Sequence, residues 1–510
     1  MTEVTRAGVE IPARPNAAGE GDVKAGYDPA LTNSDLAPLK QQRWGSYNFF
    51  AFWMSDVHSV GGYVTAGSLF ALGLAAWQVL VALVVGIVIV YFLCNLVARP
   101  SQATGVPYPV VSRVAFGVVG ANVPAVIRGL IAVAWYGIQT YLASNALVLL
   151  ALKVHPAWAP YADVDQHGFA GLSTLGWVGF ATMWVLQALV FWRGMEAIRR
   201  FIDFCGPAVY VVMFVLAAYL VVQAGGPANV SLNLGGIEHT GLGALGVMVT
   251  AVALVVSYFS GPMLNYGDFA RYGRTMAAVK KGNFLGLPVN FLLFALLCVV
   301  TASATVPVYG QLITDPVETV YRIDSVTAAV IGCLTFVIAT IGINIVANFV
   351  SPAFDFSHVS PQRISWRMGG MIAAVGSVLI TPWNLYNSPE TIHYTLDTLG
   401  AFIGPLYGVL VADYYLVKKR AIHVDDLFTK SATGAYHYVK GWNPIAVGAT
   451  AAGALVAVVV VVFTNPTAAS FSWFIGAGTA FALYLALKNS IPAPALALVP
   501  APAAGSEDRS

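Results

Sequence analysis

The stretch Trp53–Tyr63, WMSDVHSVGGY, lies inside the first long apolar run of the chain and puts an Asp, a His and a Gly-Gly pair near its middle. A simple anchor helix has no use for these groups. A charged side chain at the centre of a lipid-embedded helix costs about 2.5–3.5 kcal/mol on insertion scales, so its presence needs a reason. Gly61 and Gly62 weaken a helix where they stand. Irregular backbone at membrane depth survives only against protein or a wet cavity. The stretch therefore reads as one interrupted helix of a transport site.

The composition supports a membrane setting. Of 510 residues, 58% are hydrophobic and 10% are charged, and the mean hydropathy is +0.72. Soluble domains carry about 25% charged residues, so this chain belongs to the membrane class. The net charge of +2 gives no reason to expect nucleic acid as a partner. Cys94, Cys205, Cys298 and Cys333 all sit in apolar runs, which is neither a disulfide nor a zinc pattern. The first 44 residues are polar, so no cleavable signal peptide is expected.

A crossing helix needs about 20 apolar residues. Twelve such runs are expected, near 46–72, 75–98, 119–151, 171–192, 202–224, 241–266, 283–308, 325–351, 368–383, 391–417, 442–464 and 468–487. An even count puts both termini on one side. The segments on that side hold 23 of the 26 Lys and Arg residues; the opposite loops hold Lys153 and Arg322, and Arg128 falls inside the third run. By the positive-inside rule both termini are cytoplasmic, in the cell (inner or plasma) membrane. Residues 1–40 and 489–510 are expected to be mobile.

The sixth run repeats the design of the first, with SYFSGP, Ser257–Pro262, inside an apolar stretch. Interrupted runs five apart suggest two five-span halves, with helix ends and unwound backbone facing a midplane site. Two packing kinks are the plainer reading. In the third run Trp135 and Gln139 are four apart and share a helix face, as do Asn344 and Asn348 in the eighth. A Trp beside amides suits a flat polar heterocycle, the ring stacking and the amides reading N–H and C=O edges. Interhelical hydrogen bonding is the alternative. Asp203 and Asp397 are further charged residues within the runs, and Asp268 and Asp413 are expected to pair at the interface with Arg271 and Lys418. GLGALG, Gly241–Gly246, opens an apolar run instead of following a strand, so it is no dinucleotide fingerprint. No HExxH, P-loop or GxSxG motif is present. An enzyme is not expected, and no cofactor is implied.

The chain resembles the nucleobase–cation symporter family of hydantoin, cytosine, uracil and allantoin permeases, from about Leu36 to Leu487. The marks are NFFAFWMSDVHSVGGY, WYGIQTYL, ATIGINIVANFVSPAFDFS and GPLYGVLVADYYLVKKR, in that order. The resemblance implies an all-α integral membrane fold of twelve transmembrane helices. It is a leucine-transporter-like five-plus-five inverted repeat with helices 1 and 6 broken. Domains follow as a tail over 1–44, a core over 45–420 (repeats about 45–225 and 240–420), a loop and two extra helices over 421–488, and a tail over 489–510.

The resemblance also assigns roles. Trp135 matches the stacking Trp, Gln139 and Asn348 the amides that read the substrate, and Phe259 a second stacking aromatic that is Trp in the hydantoin permease. Tyr258 matches a backbone contact, Ser59 a substrate-contacting Gln, and Leu396 with Leu399 the apolar closure. The family's sodium ligands fall on backbone at Ser55, His58 and Ala339 and on hydroxyl positions that here are Gly342 and Ile343. Neither of the last two offers a side-chain oxygen, which hard cations require. A sodium site is therefore in doubt. Asp56 and His58 can instead take up and release a proton, so proton coupling is favoured over sodium. The expected function is import of a planar cyclic amide, uracil first and allantoin or hydantoin next, by cation symport. A sodium-coupled hydantoin or allantoin symporter is the alternative. A channel or receptor of the same fold is the other class. Substrate, coupling cation and lipid are the expected partners; the oligomeric state is left open.

Overall fold

The computed structural model describes residues 21–58, 60–70, 72–234, 236–385 and 389–490. It is a helical bundle. The one sheet among these residues is a two-stranded hairpin pairing Gly168–Phe169 with Leu172–Ser173. Nine helices among the described residues are long and apolar enough to cross a membrane. The other three expected runs contain shorter pieces. The first is divided into Ser46–Val57 and Val60–Phe70. The ninth is Trp366–Leu379, and the last is Ser472–Leu487. The four cysteines are buried and free.

The helix Ser46–Val57 is gripped on two sides by glycines. A Cβ at Gly286 would lie 2.6 Å from the Cβ of Trp53, and one at Gly206 would lie 2.8 Å from the Cβ of Met54. Only hydrogen at these positions lets the neighbouring backbones approach, as is usual where membrane helices pack closely. Trp53 is fully buried, and its indole donates to Asn283 Oδ1 at 2.8 Å. Tyr266 donates to the same oxygen.

Among the described residues three turns are π-helical; one, Ala412–Val417, follows the helix Pro389–Val411 at its end, and the other two interrupt otherwise regular helices. These two are Leu285–Val289 and Asn344–Val350. Proline explains both locally. Pro288 lies within the first, and Pro352 follows the second by two residues. A proline lacks the N–H its helix would use and clashes with the carbonyl four residues back. Widening the turn relieves both, and such bulges recur at functional sites.

The expected mobility of residues 1–40 does not hold from Gly21 onward. Residues 21–44 run across one end of the bundle, with Leu31, Leu36 and Trp44 buried. Two buried arginines hold this strap. Arg271 donates to Gly105 O, Asp35 O and Ala37 O at 2.7–2.9 Å, and Arg113 donates to Leu31 O and Leu427 O at 2.8 Å. The guanidinium's rigid fork can satisfy several carbonyls at once. Asn33 adds bonds to Ser357 and Pro361, and Asp35 accepts from Trp366 N.

This use of Arg271 corrects one expectation. Asp268 forms no ion pair with Arg271 among the described residues; it accepts from Tyr108 N at 2.8 Å. Asp413 likewise accepts from the Tyr484 hydroxyl, at 2.6 Å, rather than pairing with Lys418. Asp203 is held by Asn48 and by Arg199 at 2.8 Å.

Candidate functional site

A chamber within the bundle, open on one side, has about 370 Å³ of space free of protein atoms when its mouth is included. Its walls are Asp56, Trp135, Gln139, Tyr258, Phe259, Gly261, Pro262, Ile343, Ala347 and Asn348. Four separate stretches of chain supply them. Asp56 comes from the end of Ser46–Val57. Trp135 and Gln139 come from Asn122–Val154, where a spacing of four places them on one face. Tyr258 ends the helix Gly241–Tyr258, and Phe259 caps it before the short helix Ser260–Leu264 begins. Ala347 and Asn348 lie in the π-helical turn.

The aromatic wall is continuous. Trp135 and Tyr258 meet edge to face with ring centres 6.2 Å apart, and Tyr258 meets Phe259 in the same way at 5.3 Å. Phe259 is backed by Phe291 at 5.4 Å and Trp53 at 6.3 Å. Behind Tyr258 and Phe259 lies a second, apolar chamber walled also by Thr65, Leu69, Val255 and Phe294.

The polar wall has acceptor capacity to offer. Asp56 is 2% exposed, and its Oδ1 has no hydrogen-bond partner among the described residues. Asn348 is tied through Nδ2 to Asn344 Oδ1 at 3.0 Å. Asn344 in turn reaches Tyr136 O, Thr140 and Gln187. Below the chamber lies a buried Arg128, whose Nη2 donates to Ala347 O at 3.1 Å and Asn265 Oδ1 at 3.3 Å. Asp355 is also fully buried there, and neither carboxylate oxygen has a hydrogen bond among the described residues.

The residues singled out for cation coupling are not all in one place. Asp56 is in the chamber wall, but His58 is not among its lining residues. His58 Nδ1 is hydrogen-bonded to the Tyr63 hydroxyl at 2.7 Å, and its ring sits against Tyr210 and Phe294 with centres 4.0 and 5.2 Å away. Ser55 donates to Ile202 O at 3.3 Å. Ser55 also faces Gly342, where an added Cβ would lie 3.5 Å from the Ser55 Cβ. The first helix and the helix Val326–Ile343 thus touch at the positions matched to the family's sodium ligands, but the side chain at Gly342 is hydrogen. Ala339 is buried in that helix, and Ile343 contributes to the chamber. Ser59 lies outside the described residues, as does the side chain of Leu396; the neighbouring Leu399 is part-buried.

Reading the sequence missed Gln187, Asn265, Arg128 and Asp355. A signal existed for two of them: Arg128 is the one basic residue inside an apolar run, and Asp355 follows the Asn344–Asn348 pair by two helical turns. Gln187 and Asn265 carry no such mark.

A helical membrane bundle around a small chamber walled by aromatics and amides is the build of a transporter, and comparison with known proteins makes this specific. Residues 37–476 match the profile of the permeases for cytosine/purines, uracil, thiamine and allantoin, and the chain belongs to that family. It is a permease, not an enzyme. It is 34% identical over 471 residues to the allantoin permease of Bacillus subtilis, covering 92% of this chain and 95% of that one. It is 31% identical over 430 residues to the purine-uracil permease NCS1 of Arabidopsis thaliana, covering 84% and 71%. Among solved structures it is similar to Mhp1, a nucleobase-cation-symport-1 family transporter, in a closed conformation with bromovinylhydantoin bound. The TM-score is 0.74 at 21% identity, covering 91% of this chain and 97% of that one. The inward-facing conformation of Mhp1 gives a TM-score of 0.71 at 20% identity, covering 91% and 95%. At these identities the structural likeness concerns the fold alone.

Proposed function

We propose that this permease imports a planar cyclic amide by proton symport, with allantoin the first substrate to test and uracil the second. The carrying observation is that Trp135, Gln139, Phe259 and Asn348 converge on one chamber whose wall also holds Asp56. Trp135 and Phe259 offer ring faces for stacking. Gln139 and Asn348 offer amides for the polar edge of the ring. The order allantoin before uracil reverses the expectation from sequence. It is supported by the relatives at 34% and 31% identity, an allantoin permease and a purine-uracil permease.

In this reading Asp56 carries the coupling proton. It is buried in the chamber wall with an oxygen that has no partner among the described residues, and Gly342 and Ile343 supply no side-chain oxygen for sodium. His58 serves to hold Tyr63. The chain crosses the bilayer twelve times in two inverted five-span repeats, about 45–225 and 240–420, with two further spans within 421–488 and both termini cytoplasmic. The breaks at His58 and Phe259 bring helix ends to the chamber. Transport follows by alternating access, the part built from runs 1, 2, 6 and 7 rocking against runs 3, 4, 8 and 9.

The test is uptake of labelled allantoin, uracil and hydantoins into reconstituted vesicles under an imposed proton or sodium gradient. Accumulation above the outside level driven by a proton gradient alone is expected. Accumulation driven by sodium alone overturns the coupling assignment. Equilibration without accumulation indicates a channel, and saturable binding without uptake indicates a receptor.

A further inference from the structure

The orientation of one amide in the chamber is set by residues that never reach it. A hydrogen-bonded relay runs from Gln187, on the helix Thr174–Trp192, through Asn344 to Asn348. Gln187 Nε2 donates to Met183 O and to Thr140 Oγ1, both at 3.1 Å. A backbone carbonyl can only accept, so Gln187 must present its nitrogen there and its oxygen on the other side. That oxygen, Oε1, lies 2.6 Å from Asn344 Nδ2.

Asn344 is fixed a second time. Its Nδ2 is also 3.0 Å from Tyr136 O, another carbonyl. Thr140 uses its only hydroxyl hydrogen on Tyr136 O at 2.6 Å, so toward Asn344 it too is an acceptor. Reversing Asn344 would set its oxygen against three acceptors. Its Oδ1 therefore faces Asn348 and requires a donor, which is Asn348 Nδ2 at 3.0 Å. Asn348 Oδ1 is the end left for the chamber. The two backbone carbonyls, Met183 O at Gln187 and Tyr136 O at Asn344, thus decide the polarity of the relay's last member. All four side chains are buried, with Gln187, Asn344 and Thr140 at 0% and Asn348 at 4% exposure, where a mismatched polar contact is most costly.

We infer that Asn344, oriented jointly by Gln187, Thr140 and Tyr136 O, is a positioning residue for substrate selectivity: it locks Asn348 with its carbonyl oxygen toward the substrate, so that this wall accepts a ring N–H and rejects a ring whose nitrogen there carries a lone pair or a methyl group. The ligand class is a planar cyclic amide with an unsubstituted N–H on the edge facing Asn348. This deepens the proposed function and rests on it.

The test uses the purified full-length protein and equilibrium binding of the tightest-bound ring among allantoin, uracil and hydantoin. Alongside it are measured its N-methyl derivatives, one nitrogen at a time, and an aza analogue with a lone pair at each position. In the unaltered protein one nitrogen must be intolerant, its methyl and aza forms binding at least about tenfold more weakly, the fold-change of one unmade buried hydrogen bond. In Asn344→Ala, and in Asn344→Leu as a second variant of nearer volume, Asn348 loses the acceptor that fixes its Nδ2 and is released to turn. The ratio at that nitrogen should fall to within about threefold of one, while ratios at other nitrogens stay put. A merely structural role would weaken every ligand alike and leave the ratio unchanged; that result in whichever variant folds overturns the inference. So does an unaltered protein that tolerates methyl or prefers the aza form at every nitrogen, a measurement needing no variant. If no ring of the class binds at all, the proposed function fails and the relay reading fails with it. If rings bind without N–H preference, the relay reading fails alone.

Discussion

Asp56 and His58 stand two residues apart and serve different enclosures. Asp56 lines the central chamber, whereas the His58 ring is packed among Tyr63, Tyr210 and Phe294, with Nδ1 2.7 Å from the Tyr63 hydroxyl. The helix ends at Val57, and His58 has a non-helical backbone, φ −84° and ψ 64°. A spacing of two already points side chains to different sides of a helix, and the non-helical His58 carries its ring into the neighbouring aromatic enclosure.

Asp56→Asn should therefore uncouple the permease. Substrate exchange across vesicles without a gradient persists, and accumulation driven by a proton gradient is lost. His58→Phe should keep gradient-driven accumulation. It should lower thermal stability by about 1–3 kcal/mol, because the buried Tyr63 hydroxyl loses its partner. Uptake assays with a parallel unfolding measurement separate the two. Loss of coupling in His58→Phe with Asp56→Asn intact would reverse the assignment.

Trp135→Ala should weaken ring binding by about 1–3 kcal/mol, the usual worth of stacking a heterocyclic base on an aromatic side chain, or roughly 5- to 150-fold in Kd. Trp135→Phe should recover part of this. Calorimetric titration of purified protein reads both, and near-normal affinity in Trp135→Ala would remove the ring from the stacking role.

Adding bulk at Gly286 forces apart two helices whose separation is set by hydrogen. Because a Cβ there falls 2.6 Å from Trp53 Cβ, even Gly286→Ala should destabilise by about 1–3 kcal/mol. Gly286→Leu should prevent recovery of folded protein. At Gly400, where an added Cβ meets nothing within 4 Å, alanine should be tolerated. Melting temperatures of the two alanine variants and the yield of folded Gly286→Leu check the contrast.

The strap over residues 21–44 should come loose when its arginine is removed. Arg271→Ala withdraws the donors from three carbonyls at 2.7–2.9 Å, so limited proteolysis near residue 24 should become several-fold faster. An unchanged cleavage rate would mean that apolar burial of Leu31, Leu36 and Trp44 holds the strap unaided.

The strap's outer end should respond to acid. Lys24 donates to Asp425 at 2.8 Å and Tyr27 adds a second bond at 2.7 Å. The Lys24 hydrogen bond foremost, then that of Tyr27, holds the Asp425 carboxyl below its usual range. A depressed carboxylate contributes stability that is present above its unfolded pKa, about 3.9, and lost as pH falls through the lower folded value. Proteolysis near residue 24 should thus be insensitive to pH from 7 to 5 and rise only under stronger acid. Being exposed, the pair should change the rate modestly.

The sequence by itself determined the solvent this chain lives in and the family it belongs to. Apolar runs of membrane length, separated by lopsided basic loops, need no partner to be read, because the bilayer imposes its thickness on each helix separately. Trp135 with Gln139, and Asn344 with Asn348, could be paired from a spacing of four because one helix turn brings them together. What the tertiary structure alone decided are relations between distant segments. Asp56 and His58 are two apart and so point to different sides, but only the packing shows that one meets the chamber and the other the Tyr63, Tyr210 and Phe294 rings. Gln187 looked like any amide in an apolar run until it met Asn344, 157 positions away. Arg113 and Arg271 counted as loop charges until the strap's carbonyls closed over them. Periodicity reports which face of a helix is buried, but not against what. A hydrogen bond between remote residues leaves no local trace, because neither partner's own neighbourhood is altered by it.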